Sequence, residues 1–267
     1  MSVRPHPFFS GALYARKSCF VYVPEGYDQG EERYPVIYLL HGMYQSESNW
    51  LLKGNAEQTL DRMMDEGTLR KCIVVMPNDG GYGTGTFYVN WYDGTGNFED
   101  YMLYDLVGEI DKAFRTIPDR EHRAVCGLSM GGFGAFSLAL RNPEVFGAAV
   151  SLSGALTSTE LIGPQYARSD ISRMIGPLNG PYAQSLDLQK LAEHRLHDAH
   201  PPALYFHCGT EDYLYSMNEA FHAHLNRIGY THRYETYSGE HNWDYWTGHL
   251  ARSLSFMDSF FAAPKNP

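Results

Sequence analysis

Cysteine is scarce, and its spacing suits no metal or disulfide chemistry. Cys19, Cys72, Cys126 and Cys208 share no Cys-x-x-Cys pattern, which argues against a zinc site or a disulfide framework. Each falls inside a predicted strand, so four buried free thiols and a reducing, cytoplasmic setting are expected. Long apolar runs are missing too. No stretch approaches a membrane span, and Met1–Gly11 carries two prolines and two aromatics rather than the apolar core of a signal peptide. Neither a membrane partner nor export is therefore expected. Excess positive charge is also absent: 21 Lys+Arg stand against 31 Asp+Glu, a formal charge of -10, which leaves no basic footprint for nucleic acid or anionic lipid. With no repeat, low-complexity tract or proline-rich linker in its 267 residues, the chain is expected to form one domain over residues 1–267.

What is present is a regular succession of elements. Short runs rich in β-branched and aromatic residues alternate with helical patterns, which predicts an α/β class. The expected sheet is mostly parallel, with about eight strands and helices on both faces. Strands are predicted over Cys19–Pro24, Val36–Leu40, Cys72–Met76, Ala124–Cys126, Ala148–Leu152, Ala203–Cys208 and Arg233–Tyr237. Helices are predicted over Asn55–Asp65, Glu99–Arg115, Gly131–Arg141, Tyr215–Ile228 and Tyr245–Phe261. Between Glu99 and Arg115, Leu103, Leu106, Val107, Ile110 and Phe114 fall on one helical face. The stretch Gly154–Pro202 lacks a clear strand and is broken by several Gly-Pro steps. It reads as an insertion, either a lid above the strand C-termini or a passive surface excursion.

Gly127-Leu128-Ser129-Met130-Gly131 fits Gly-x-Ser-x-Gly. With a strand before it and a helix after it, this is the setting in which a serine sits on a strained turn, its hydroxyl pushed clear of the sheet, as in the nucleophile elbow of the α/β-hydrolase fold. Glycines flank it because side chains there would collide with the neighbouring strand and helix. A serine hydroxyl is a weak nucleophile. It needs a base within hydrogen-bond reach, and the base needs a group that fixes its tautomer. The chain order in this fold is serine, acid, histidine, with the acid after a late strand and the histidine after the last one. Asp212 follows the strand Ala203–Cys208, and His241 follows the strand Arg233–Tyr237. Glu211, one residue earlier, is the rival acid. The oxyanion donors expected are the backbone N–H groups of Met130 and Met43, with Gly42 as the alternative to Met43.

Most of the 12 histidines lie outside the expected catalytic loop; His207 falls inside a strand and His249 on the last helix. The loop from Gly83 to Asn97 interleaves Phe87, Tyr88, Trp91 and Tyr92 with Asn90 and Asp93. Tyr88, Asn90, Trp91 and Trp243 are candidates for a mostly apolar substrate pocket, although the same aromatics would serve equally as core. Asp93, Glu99 and Asp100 fit no calcium-loop spacing. No metal and no cofactor is expected.

Taken together, the segments Val36–Gly42, Phe87–Asn90, Glu99–Tyr101, Gly127–Gly132, Arg141–Pro143, Gly209–Asp212 and Gly239–Trp243 resemble the esterase D superfamily. That superfamily includes feruloyl and acetyl xylan esterases of carbohydrate esterase family one, tributyrin esterases, S-formylglutathione hydrolases and mycolyltransferases. The likeness covers nearly the whole chain. The ending His241-Asn242-Trp243 with Trp246 is more similar to the feruloyl and tributyrin branch. Gly85–Tyr88 and Tyr101–Tyr104 resemble S-formylglutathione hydrolases, whose histidine region this chain departs from.

The resemblance implies ester hydrolysis through an acyl-serine intermediate, on short-chain acyl or feruloyl and acetyl sugar esters. S-formylglutathione hydrolysis or acyl transfer within the same superfamily is the second reading, and a catalytically silent scaffold the non-enzymatic one. The partner expected is a small-molecule or oligosaccharide ester, with self-association into a homo-oligomer left open.

Overall fold

The computed structural model describes residues 2–81, 83, 85–156 and 169–263. Eight strands form one sheet in the order β1-β2-β4-β3-β5-β6-β7-β8. They are β1 (Val3–Ser10), β2 (Ala15–Tyr22), β3 (Val36–Leu40), β4 (Ile73–Pro77), β5 (Arg123–Leu128), β6 (Ala148–Leu152), β7 (Ala203–Gly209) and β8 (His232–Tyr237). From β4 to β8 every pairing is parallel, while β1 and β2 run antiparallel at one edge. The helices are α1 (Asn49–Leu52), α2 (Ala56–Asp65), α3 (Phe98–Asp100), α4 (Val107–Ala113), α5 (Met130–Arg141), α6 (Ser169–Ile175), α7 (Pro181–Ser185), α8 (Leu188–Arg195), α9 (Tyr215–Ile228) and α10 (Trp243–Ala262).

Strands β3, β4 and β6 are buried along their full length because helices cover both faces of the sheet, which is why they are nearly continuous apolar runs. Along β3, Val36, Tyr38 and Leu40 pack with α4, α5, α8 and α9 on one face. Ile37 and Leu39 pack with α2 and α10 on the other.

Two expectations need correction. Strand β1 precedes the first predicted strand and carries Pro5 and Pro7; it is the edge strand of the sheet, where a missing N–H costs no ladder bond. The helix expected over Glu99–Arg115 is instead α3, a π-helical turn over Tyr101–Leu106, and α4. The wider turn carries the consecutive residues Tyr101, Met102 and Leu103 into the core together, which a 3.6-residue period does not foresee. The insertion holds no strand among its described residues, as expected; its described part is helical, and Leu188, Leu191 and Ala192 of α8 are buried in the core cluster that holds α5. Residues 157–168 of that insertion lie outside the described residues. Among the described residues no helix is long and apolar enough to cross a membrane.

Candidate active site

Ser129 stands between the end of β5 and the start of α5 with φ 55° and ψ -118°, a strained conformation for a residue with a side chain. Its neighbours make the turn possible. A Cβ on Gly127 would lie 2.2 Å from the carbonyl oxygen of Gly131, and one on Gly131 would lie 2.6 Å from the carbonyl oxygens of both Leu40 and His41. The flanking glycines are therefore steric requirements, as the spacing predicts. The turn is pinned to the sheet by the Ser129 N–H, which donates to Leu152 O at 3.0 Å.

The parallel sheet brings the loops after β5, β7 and β8 to one edge, so residues 112 positions apart meet. His241 Nε2 lies 2.9 Å from Ser129 Oγ, and His241 Nδ1 lies 2.8 Å from Asp212 Oδ2 and 3.0 Å from Oδ1. A carboxylate can only accept, so Nδ1 carries the proton and Nε2 offers its lone pair to the serine hydroxyl. Asp212 is buried and its Oδ1 also accepts the Leu214 N–H at 2.8 Å. Burial opposes its ionisation, but the hydrogen bonds from His241 and Leu214 outweigh that cost and hold the carboxyl below its ordinary range. Glu211 points elsewhere: it is exposed and accepts the Gly239 N–H and Ser238 Oγ.

The loop after β3 lies beside the serine, with the Cβ position of Gly42 3.4 Å from Ser129 Cβ. The Gly42 N–H is already taken by Gln45 Oε1 at 3.0 Å, which removes it as an oxyanion donor. Among the described residues nothing accepts the N–H of Met43 or Met130. Gly85, at φ 94°, lies over this pair, and a side chain there would meet Met130 Sδ at 2.6 Å and Met43 Cγ at 3.0 Å.

The expected pocket residues are placed differently. Tyr88 is fully buried and its hydroxyl donates to His41 O at 3.0 Å; burial also pushes its pKa well up, so it stays a donor. Trp91 is buried, its Nε1–H donating to Thr86 O at 3.2 Å. Asn90 is spent locally, its Oδ1 accepting the N–H groups of Glu99 and Asp100 and its amide donating to Asp100 Oδ1. These three hold the loop rather than face a substrate. Trp243 is partly exposed and packs edge-on against Trp50 and Trp246, and Trp246 in turn stands edge-on to His241 with ring centroids 4.9 Å apart.

The same loop is tied to the insertion. Tyr92 N–H donates to Met174 O and Asp93 N–H to Arg173 O, while Tyr182 donates to Asn90 O. Asp93 pairs with Arg173. Among the described residues no three His, Cys, Asp or Glu side chains converge as metal ligands.

Two residues at the site escaped the sequence reading. Tyr213, 73% exposed, lies against His241, and its only sequence signal is adjacency to Asp212. Gln45 holds the Gly42 N–H across a turn, and nothing in the local pattern marks it. The four cysteines are buried and free, as expected, and His207, inside β7 as expected, is fully buried.

Similarity to known proteins agrees with this geometry. An "Endo-1,4-beta-xylanase/feruloyl esterase" of Xylanibacter ruminicola is 36% identical over 164 residues, 58% of this chain but 22% of that relative, so the chain spans about a fifth of its length. An "Acetyl esterase" of Caldicellulosiruptor saccharolyticus is 25% identical over 238 residues, covering 86% of this chain and 85% of that one. A solved ferulic acid esterase structure superposes with a TM-score of 0.84 at 28% identity, over 97% of this chain and 98% of the other; the sheet and helices are thus those of an α/β-hydrolase fold. The model of the Esterase family, described as "Putative esterase", matches residues 10–257. A match of that span, over a chain whose serine, histidine and aspartate meet at hydrogen-bond distance, makes this protein a member of the Esterase family.

Proposed function

We propose that the chain hydrolyses carboxylic esters through an acyl-serine intermediate, with short-chain acyl esters and feruloyl or acetyl esters of sugars as its substrates. The observation that carries this reading is the His241 imidazole held between Ser129 Oγ at 2.9 Å and Asp212 Oδ2 at 2.8 Å. Ser129 attacks the ester carbonyl as its proton passes to His241 Nε2. The N–H groups of Met43 and Met130 receive the oxyanion, and Asp212 stabilises the imidazolium. Collapse of the tetrahedral intermediate expels the alcohol, which takes the proton from Nε2. Water, activated by the same nitrogen, then releases the acid and restores Ser129.

The leaving alcohol must sit beside His241, where Tyr213 presents an exposed ring. An aromatic face there suits a pyranose or a phenolic group. The names of the relatives support acetyl and feruloyl groups on the acyl side.

The test is a panel of p-nitrophenyl acyl esters, methyl ferulate, an acetylated xylo-oligosaccharide and S-formylglutathione, with Ser129→Ala as the control. Hydrolysis of the oxygen esters that vanishes in a folded Ser129→Ala variant is expected. A marked preference for S-formylglutathione would move the substrate class to thioesters, and turnover retained by Ser129→Ala would reject the mechanism.

A further inference from the structure

Two successive peptide groups after β3 are clamped by side chains, and the clamping leaves one donor over. In the first group the His41 carbonyl accepts from Tyr88 Oη at 3.0 Å, while the Gly42 N–H donates to Gln45 Oε1 at 3.0 Å. The second group joins Gly42 to Met43, and its carbonyl oxygen lies 2.8 Å from His41 Nδ1. A carbonyl only accepts, so Nδ1 carries the proton. The opposite ring atom, Nε2, is buried and has no partner among the described residues.

A trans peptide group is planar, with its C=O and N–H antiparallel, and the described chain has no cis peptide bond. Holding Gly42 O toward the buried imidazole therefore turns the Met43 N–H the opposite way, where no described residue accepts it. If this group flipped, the Gly42 carbonyl oxygen would take the place of the N–H and set a lone pair against the developing oxyanion. Tyr88 and Gln45 hold only the preceding group, so they do not prevent the flip.

We infer that His41 is a positioning residue, its Nδ1–H latching the Gly42–Met43 peptide so that the Met43 N–H stays available to the oxyanion. The inference rests on the function proposed above. His41 touches no reacting atom; it acts through one backbone carbonyl.

The test compares His41→Asn, His41→Leu and His41→Gln. Asparagine places an amide N–H where Nδ1 stood, leucine has no donor, and glutamine carries its amide one bond too far, near the place of Nε2. The readouts are kcat and KM for p-nitrophenyl acetate, affinity for a trifluoromethyl ketone that forms a charged tetrahedral adduct on serine, and Tm. Leucine and glutamine are expected to lower kcat by about 10²-fold, the loss typical of one oxyanion donor, with KM nearly unchanged and ketone affinity reduced in parallel. Asparagine is expected to recover most of both. A His41→Leu variant with wild-type kcat, or an asparagine variant as impaired as leucine, would overturn the latch. If His41→Leu does not fold, the asparagine and glutamine pair decides between the same outcomes. Ser129→Ala run alongside separates the two levels: retained turnover there removes the proposed function, whereas its loss with unaffected His41 variants removes the latch alone.

Discussion

The ring of Tyr213 leans on the imidazole of His241, with centroids 4.5 Å apart and planes at 49°. Since the tyrosine is 73% exposed, the contact leaves most of one aromatic face open to the leaving alcohol. An aromatic contact of this kind contributes about 0.5–1.5 kcal/mol. Tyr213→Ala should therefore raise KM for an acetylated xylo-oligosaccharide by roughly 2- to 12-fold while changing KM for ethyl acetate little. Equal effects on the two substrates in steady-state assays would show that the ring serves His241 and not the alcohol.

Asp212 and Glu211 are neighbours in sequence but turn to different partners. Asp212→Asn should reduce kcat by roughly 10⁴-fold, because an amide facing Nδ1 favours the wrong tautomer and does not stabilise the imidazolium. Glu211→Gln should keep most of the activity, since that carboxylate accepts the Gly239 N–H at an exposed turn. Kinetics of the two purified variants decide the matter; the reverse ranking would transfer the acid to Glu211.

Glycine substitutions should separate by what a new Cβ would strike. At Gly131 it meets two backbone carbonyl oxygens at 2.6 Å, neither of which can yield, so Gly131→Ala should lose at least about 1–3 kcal/mol together with activity. At Gly108, in α4 and exposed, it meets nothing within 4 Å, and Gly108→Ala should gain about 0.5–1 kcal/mol. Urea midpoints would measure both, and a Gly131→Ala protein as stable as wild type would contradict the packing described.

His207 links stability to pH. Burial, with His249, Arg252 and Arg233 nearby and only Glu235 opposing, lowers its pKa to about 3, whereas an unfolded histidine titrates near ~6.5. Between those values the unfolded chain binds a proton that the folded chain refuses, so stability is fully present above ~6.5 and falls as pH drops toward about 3. For this one group the loss from pH ~7 to ~5 is about 2 kcal/mol. His207→Gln, which keeps polar atoms for Tyr245 Oη and Ser253 Oγ, should shrink that pH-dependent loss by about the same amount. Identical slopes for the variant and wild type would exclude His207 as the source.

The serine turn was legible because three independent constraints coincide there: a strand, a helix, and glycines at the two positions where carbonyl groups crowd in. Asp212 and His241 followed from topology, since a parallel sheet returns every strand C-terminus to one edge. The pocket was not legible. Apolar aromatics line cavities and fill cores alike, and Tyr88 and Trp91 became interior only through contacts with His41 and Thr86, far away or across a turn. Gln45 and Tyr213 went unread for the opposite reason: single side chains whose partners lie across a loop leave no periodic trace.

The prolines of β1 bear on how copies of this protein meet. Pro5 and Pro7 are two apart, so their ring nitrogens lie on the same side of the strand, and the strand pairs with β2 on its other side. Its open rim therefore lacks two successive donors that an incoming strand would require, and sheet-to-sheet growth from that rim is disfavoured. Strand β8 closes the opposite rim and carries Arg233 and Glu235, charges that a docking strand would have to accommodate. Both ends of the sheet thus disfavour edge-to-edge continuation into a second molecule.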